Sequence, residues 1–236
     1  MPPMEILQAW VTNLGKYAEG VLACELLTLP TSTEDVQALL KRIGVDGVRY
    51  EEIFIADYHS DIPGLCKYLG EYEDIDELNH LACLIGELSQ AELETLEAAL
   101  DKGDCMGSAH DLINLVHNLD CYSLYPDIED EDDLGRHYLD DGVLSQVPEF
   151  LLNYIDYESY GRDVMMEEDG SFVRGGYVLC DGSFQEVYQG RGDIPEEHRV
   201  FAYPKLTIRE KLAAYKEVTE QAAREHPAPE QGHDDR

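Results

Sequence analysis

Basic side chains are scarce in this sequence. Its 236 residues include 17 Lys and Arg against 50 Asp and Glu, so the formal net charge is −33 at pH 7. The imbalance is local, because residues 43–160 hold 29 acids and 4 bases, a net charge of −25, whereas residues 1–42 hold 5 acids and 3 bases. Self-repulsion of this size destabilises a compact chain. The concentration of acids therefore favours a functional use of the charge over the even coverage of a halophilic protein.

Long apolar runs are also lacking. No run approaches the ~18 apolar residues of a membrane span, and Met1–Leu14 has neither the basic start nor the unbroken apolar stretch of a signal peptide. The six cysteines show no paired spacing, so we expect reduced thiols. A hydrophobic fraction of 44% with 15 Tyr indicates a globular chain. Together these features predict a cytoplasmic protein.

Catalytic motifs are absent as well. There is no P-loop, no GxSxG elbow and no dinucleotide-binding fingerprint. Cys105, His110, His117 and Cys121 are metal-ligand residue types, but their spacing matches no known site, and the acid run 127–133 lacks the Gly and Glu of an EF-hand. Acid–base pairs are too numerous to single out one. We therefore predict no enzyme, no cofactor and no metal site, with an acidic hydrolase or metal-dependent enzyme as the alternative.

Hydrophobic periodicity predicts an α+β chain. Alternation in residues 5–30 and 50–58, with a helix between them that a Thr31–Glu34 capping box begins, gives an N-terminal ββαβ unit. From residue 62 the period is helical, and Asp74 and Ser89 are predicted N-caps of two helices.

Later segments continue the mixed pattern. A helix is predicted from Ser108, two short helices in 147–170, a hairpin in 171–188 and a polar helix from Pro204. The last ten residues are predicted to be disordered.

Rows of like charge are the most unusual feature of the predicted helices. One row is Glu94, Glu97 and Asp101, which share a helix face. A second row is Glu73, Asp76 and Glu77. Side chains three or four residues apart lie ~5–6 Å from each other, so these acids repel, and no Lys is interleaved. Duplex DNA also presents charge in rows, with one charge per ~1.7 Å of axis.

At that density, the −25 of residues 43–160 corresponds to ~42 Å of duplex. The charge therefore suggests a mimic of DNA that occupies the basic channel of a DNA-binding protein. Acidic halophilic, chaperone-like and adaptor proteins are the alternatives that charge alone leaves open.

The stretch 118–141 combines a predicted strand with an acid run. Tyr122, Leu124 and Tyr125 precede Pro126, and six of the seven residues 127–133 are acidic. We interpret the strand as a protein contact and the acid run as part of the charge array.

Five segments resemble the ArdA-type antirestriction proteins, in that family's order, over roughly residues 5 to 170. They are WVTNLGKYAEGVLACELLTLP, IGVDGVRYEEIFIADY, LGEYEDIDELNHLA, NLDCYSLYPDIEDEDDLGRHYLDD and FLLNYIDYESYGRD. The resemblance implies an elongated homodimer of three-domain chains. It further implies a mimic of duplex DNA that inhibits type I restriction–modification enzymes by occupying the DNA-binding groove of their methyltransferase core. Such proteins protect incoming mobile genetic elements, and neither direct nucleic-acid binding nor a membrane is implied.

Mapped onto this chain, the resemblance implies an N-terminal sheet-and-helix domain at 5–61, a helical acidic domain at 62–103 and a mixed α/β domain at 104–170. Residues 171–236 would be a C-terminal extension. The dimer contact maps to Tyr122, Leu124 and Tyr125. The predicted phosphate-mimicking residues are Glu73, Asp76, Glu77, Glu94, Glu97, Asp101, Asp127, Glu129, Asp130, Glu131, Asp132, Asp133, Asp140, Asp141, Asp156 and Glu158. A mimic or adaptor for another DNA-binding protein is the main alternative.

Overall fold

A computed structural model describes residues 4–103, 107–140, 144 and 147–225, and it has the predicted mixed α+β class. The strands of this part are β1 (Leu7–Asn13), β2 (Cys24–Leu29), β3 (Ile53–His59), β4 (Tyr122–Tyr125), β5 (Ser171–Val173) and β6 (Gly176–Cys180). Its α-helices are α1 (Leu14–Ala18), α2 (Thr33–Ile43), α3 (Ile75–Gly86), α4 (Gln90–Lys102), α5 (Ala109–His117), α6 (Glu131–Asp140), α7 (Glu149–Leu152), α8 (Tyr157–Glu168) and α9 (Ile208–Glu225). Short 3-10 turns join some of them.

The N-terminal unit has the predicted strand–strand–helix–strand order, with the short helix α1 added between β1 and β2. β1 pairs antiparallel with both neighbours, so the strand order is β2-β1-β3. Leu7, Ala9 and Val11 alternate along β1 and are all buried, in one cluster with the apolar side chains of α2. The alternation of apolar residues in the sequence of β1 therefore predicted its buried face correctly.

Helix starts follow side-chain capping. Ser32 begins α2 by accepting a hydrogen bond from the backbone N–H of Asp35 at 3.2 Å, so the predicted Thr31–Glu34 box is wrong by one residue. Ser89, the predicted N-cap of α4, forms a reciprocal capping box with Glu92. Asp74 and Ser108 cap α3 and α5, also as predicted.

The second sheet crosses a predicted boundary. β6 pairs antiparallel with both β4 and β5, in the order β4-β6-β5, with Tyr122 opposite Cys180 and Tyr125 opposite Tyr177. The predicted hairpin after residue 170 is therefore present, and it completes the sheet that β4 begins. A boundary between residues 170 and 171 would separate strands that are hydrogen-bonded to each other.

Helices α6 and α8 pack closely because each carries a glycine at the crossing. A Cβ on Gly135 would collide with the carbonyl oxygen of Tyr157, and one on Gly161 would collide with that of Glu131. Backbones can approach this closely only where both side chains are absent.

Buried apolar side chains form two clusters. The larger one runs from Leu7 to Val200 and includes side chains of the N-terminal sheet, α3, α4, α5 and β4. The smaller one lies between α6, α8 and the second sheet, and its members are Ile128, Leu134, Val164, Tyr177 and Leu179. The N-terminal unit and the central helices thus share one core, and the three-domain arrangement is not confirmed.

The C-terminal extension folds back over the rest of the chain. Residues 184–203, called the strap here, pass across α5 and α3 before α9 begins. Three buried asparagines, Asn79, Asn114 and Asn118, hydrogen-bond strap backbone atoms at 2.8 or 2.9 Å. The polar helix predicted from Pro204 begins at Ile208, and the predicted disordered tail lies outside the described residues.

Candidate partner-binding surface

The acids of α4 form the predicted row. Glu94 and Asp101 are exposed and Glu97 is half-buried, and all three lie on one side of the helix. We call these three residues the α4 row. No Lys or Arg of α4 lies between these three acids, since Lys102, the basic residue of this helix, follows Asp101 in the last turn.

A cleft of about 250 Å³ brings the α4 row next to the strand that the sequence predicted as a dimer contact. Its lining residues are Pro63, Glu94, Glu97, Ala98, Asp101, Leu124, Pro126, Arg174 and Gly175. The backbone N–H of Arg174, in the β5–β6 turn, donates to Asp101 at 3.4 Å. The predicted charge array and the predicted interface therefore meet at one place on the surface.

Asp76 requires a correction. It was predicted to imitate a phosphate, but its side chain is 0% exposed. One carboxylate oxygen accepts hydrogen bonds from the backbone N–H groups of Val200 and Phe201, both at 2.7 Å, and the other lies 2.5 Å from an Arg191 nitrogen. A carboxylate enclosed in this way cannot reach a partner, so Asp76 holds the strap against α3.

The two neighbours of Asp76 are partly committed to the fold. Glu73 is half-buried and accepts from the backbone N–H groups of Gly70 at 3.0 Å and Ala109 at 3.2 Å. Glu77 accepts a hydrogen bond from the Tyr188 hydroxyl at 2.7 Å. Burial, followed by this carboxylate, raises the pKa of Tyr188. The side chains of Glu73 and Glu77 are therefore positioned by hydrogen bonds within the fold.

The acid run 127–133 leads into the first turn of α6, a helix that the sequence did not predict. Asp130 accepts a hydrogen bond from the backbone N–H of Asp133 at 2.9 Å, as an N-cap does. Glu131, Asp132 and Asp133 follow in the first turn, and the helix dipole stabilises acids there. Asp127 and Glu129, which precede the helix, are exposed.

A salt bridge reduces the local charge of α6. Asp132 lies 2.6 Å from Arg136, and the guanidinium of Arg136 stacks 4.2 Å from the centre of the Tyr157 ring. The carboxylate of Asp132 is thus already matched by a cation of its own helix. The side chain of Asp140 and the whole of Asp141 lie outside the described residues.

The predicted acids of α8 are also at a helix start. Asp156 accepts from the backbone N–H of Ser159 at 3.0 Å, and this hydrogen bond lowers the pKa of Asp156. Glu158 lies 2.7 Å from Arg162, one turn along the helix. Both acids are exposed, so they can contribute to a surface field while supporting the helix.

The three predicted interface residues differ in accessibility. Leu124 is half-buried and lines the cleft beside the α4 row. Tyr125 is half-buried beside the His137 ring, with the two ring centres 5.2 Å apart. Tyr122 is 9% exposed and belongs to the larger core, so its side chain is not available to a partner. The β4 strand itself is at an edge of its sheet.

In the described part of the chain, no group of three or more His, Cys, Asp or Glu side chains is arranged to hold a metal ion. Cys105, one of the four residues considered from the sequence, lies outside the described residues. The helices of this part also include none that is both long and apolar enough to cross a membrane.

Two exposed apolar surfaces were not predicted. One is on α9, and the other includes Phe150 and Tyr154, which are 71% and 83% exposed. The three-and-four spacing of Ile208, Leu212 and Tyr215 is visible in the sequence, but the pattern does not tell whether such a face is buried or exposed.

Comparison with known proteins agrees with the resemblance seen in the sequence. The family model described as antirestriction protein (ArdA) matches residues 9–179. The match ends within β6 and so includes almost all of the second sheet. A search of curated proteins gives no match.

Proposed function

Because the chain belongs to the ArdA antirestriction protein family, we propose that it inhibits type I restriction–modification enzymes by mimicking duplex DNA. Its carboxylates would take the positions of phosphates in the DNA-binding groove of the methyltransferase core. Incoming mobile DNA would be protected for as long as the groove is filled. Under this proposal the chain acts by binding in the cytoplasm and catalyses no reaction.

The α4 row is the observation that carries the proposal. Glu94 and Asp101 are seven residues apart, which is ~10 Å along a helix axis. One strand of duplex DNA places three charges within ~7 Å of its axis. The row therefore reaches about two thirds of the linear charge density of one DNA strand, and no Lys or Arg of α4 lies between its three acids.

Further acids would extend the array beyond α4. Asp127 and Glu129 are exposed between β4 and α6, and Glu158, which pairs with Arg162, is exposed on α8. Helix α4 contacts β4, so the row and the acid run are connected through the second sheet. A copy joined at the edge of β4 would place a second set of these acids next to the first, which is how we propose that the homodimer lengthens the mimic.

Charge removal in steps tests the proposal. We would measure how tightly the protein displaces a labelled duplex from a purified type I enzyme. Glu94→Gln, Glu97→Gln and Asp101→Asn are combined first, and Asp127→Asn with Glu129→Gln are added next. Inhibition should weaken progressively, with small losses from single changes, and it should weaken as salt rises.

A matched control removes the same kind of charge from the extension. Glu196→Gln with Glu197→Gln changes two exposed acids of the strap and should leave inhibition unchanged. If one substitution alone abolished inhibition, a discrete site would be indicated and mimicry rejected. If the full set had no effect, or binding were insensitive to salt, the target would not be recognising these charges.

A further inference from the structure

Helix α9 is turned with its large apolar side chains toward solvent. Ile208 is 81% exposed, Leu212 65%, Tyr215 58% and Val218 36%. These four residues, called the α9 stripe, recur at intervals of four, three and three, so they share one side of the helix. A helix that packs only on its own protein normally buries such a face.

The opposite side of α9 faces the N-terminal unit and is built from smaller or charged side chains. Glu210, Ala213, Ala214 and Glu217 line a shallow cleft that residues 41–46 complete. Only Ala214 of these is buried, at 9% exposed, and Glu217 is anchored 2.6 Å from Arg49. The helix is therefore held in place by its less apolar side, and the α9 stripe remains presented to a partner.

Charge around the α9 stripe limits what that partner can be. Arg209 and Lys211 are exposed on the same helix, beside the stripe, and so is Lys216, which pairs with Glu220 at 3.8 Å, in a chain whose net charge is −33. Two α9 stripes facing each other across a two-fold axis would bring these bases together. A partner whose apolar surface is bordered by acids fits better, because complementary charge guides and orients association.

This chain carries such a surface. Phe150, Leu151 and Tyr154 are 71%, 41% and 83% exposed, and we call them the Phe150 patch. Asp156 and Glu158, which follow within four residues of Tyr154 in the chain, are exposed acids, and Glu158 also pairs with Arg162. The apolar centre and acidic border of the Phe150 patch are complementary to the apolar centre and basic border of the α9 stripe.

We propose that the α9 stripe of one copy docks on the Phe150 patch of a second copy. The contact joins two different surfaces, so it is heterologous, and it can repeat from copy to copy or close into a ring. One helix face is small compared with the ~800 Å² per partner of a standard interface, so the association should be weak and dependent on concentration. The proposal does not depend on what the α4 row binds.

Sedimentation velocity of full-length variants tests this contact. Leu212→Ser with Tyr215→Ser removes the stripe, and Phe150→Ser with Tyr154→Ser removes the patch. All four positions are exposed, so the fold should survive. Each double variant alone should lose the concentration-dependent growth beyond the β4 homodimer that the unmodified protein shows, with an apparent Kd of this further association raised roughly tenfold or more.

Mixing the two double variants gives the decisive result. One retains an intact patch and the other an intact stripe, so an equimolar mixture should form a species larger than the β4 homodimer through the one remaining stripe–patch contact. A mixture that grows no further than either variant alone would overturn the proposal. So would loss of association from the stripe variant with no effect from the patch variant, because another occupant would then cover α9.

A control variant replaces two apolar residues of comparable exposure that lie outside the stripe and the patch. Val21→Ser with Leu22→Ser alters side chains that are 52% and 76% exposed before β2. Its association should match that of the unmodified protein. If this variant associates as weakly as the stripe variant, or if the unmodified protein shows no growth beyond that of the variants, the stripe is not a specific contact and the proposal fails.

Discussion

The imidazole rings of His80 and His198 face each other, with their Nδ1 atoms 2.8 Å apart. One nitrogen must donate and the other must accept, so at least one ring is neutral. His80 is only 5% exposed, and burial, followed by the nearby His198 and His117, lowers the pKa of His80 to about 4. This pair joins the strap to α3 through a hydrogen bond that cannot form when both rings are protonated.

The histidine pair predicts a loss of stability in mild acid. The pKa of His80 is lower in the folded chain than the ~6.5 of an unfolded one, so its contribution is fully present above pH 6.5 and is lost as pH falls toward 4. The full loss should be roughly 3 kcal/mol. Urea unfolding between pH 7.5 and 4.5 measures it.

Because carboxylates titrate in part of the same range, the comparison is with His80→Asn. Tyr188, whose hydroxyl donates to Glu77, and His117 also lie near His80, but these three residues are present in both proteins. The variant should show a shallower dependence on pH between 6.5 and 5. Equal slopes would mean that His80 does not titrate with folding.

Asp76→Asn is predicted to destabilise the fold by about 1–3 kcal/mol, because it removes the charge that pairs with the exposed Arg191 and disturbs two backbone hydrogen bonds. The urea midpoint measures the change. Glu94→Gln is the matched control and should change stability by less than about 0.5 kcal/mol. An Asp76→Asn protein with unchanged stability but weaker inhibition would restore this acid to the partner-binding surface.

Gly161→Ala is predicted to cost about 1–3 kcal/mol, because its methyl group would collide with the carbonyl oxygen of Glu131 and push α8 from α6. Gly175→Ala, in the open turn between β5 and β6, has no atom within 4 Å of the new methyl group and is the control. Thermal unfolding of both variants measures the difference. Similar melting temperatures would show that the two helices can separate without cost.

Asn114→Ala is predicted to loosen the strap. Its side-chain oxygen accepts from the N–H groups of Val187 and Tyr188, and its amide donates to the Tyr188 carbonyl, at 2.8–2.9 Å. Each buried group left unpaired costs about 1–3 kcal/mol. Hydrogen exchange should accelerate in the strap and not in β1. Asn153→Ala, at an exposed position, should leave the exchange pattern unchanged.

Leu124→Ser is predicted to weaken the proposed homodimer, because this side chain lies on the edge strand β4 and is only half-buried in the single chain. Sedimentation equilibrium measures the dimer constant. Tyr122→Ala is a poorer test, since Tyr122 belongs to the core and its loss would destabilise the chain itself. A Leu124→Ser protein with the original dimer constant would move the interface away from β4.

Local patterns were sufficient for much of the fold. Alternation along β1 reported which side chains are buried, and Ser89 with Glu92 marked the start of α4, because both signals act within a few residues. α6 was missed because its first turn consists of acids that resemble a solvated loop. The Asp130 cap and the spacing of Leu134 and Tyr138 were the available signals.

Long-range partners account for the rest. Asp76 and Asp101 look alike in the sequence, each an acid on a helix, yet Asp76 is buried by residues more than a hundred positions away. No periodicity reports such a contact. The location of the α4 row beside Leu124 also needed the structure, because the cleft forms only when β4 pairs with β6 and the turn at Arg174 closes one side.

The three asparagines beneath the strap have a consequence for comparing family members. Asn79, Asn114 and Asn118 lie within the matched residues 9–179, but strap atoms that satisfy their amides lie after residue 179. A relative that ends where the match ends would lose these strap partners and expose the three amides. Its helices should therefore carry other side chains at the three equivalent positions. Asparagine at all three positions would then distinguish family members that carry the strap from members that lack it.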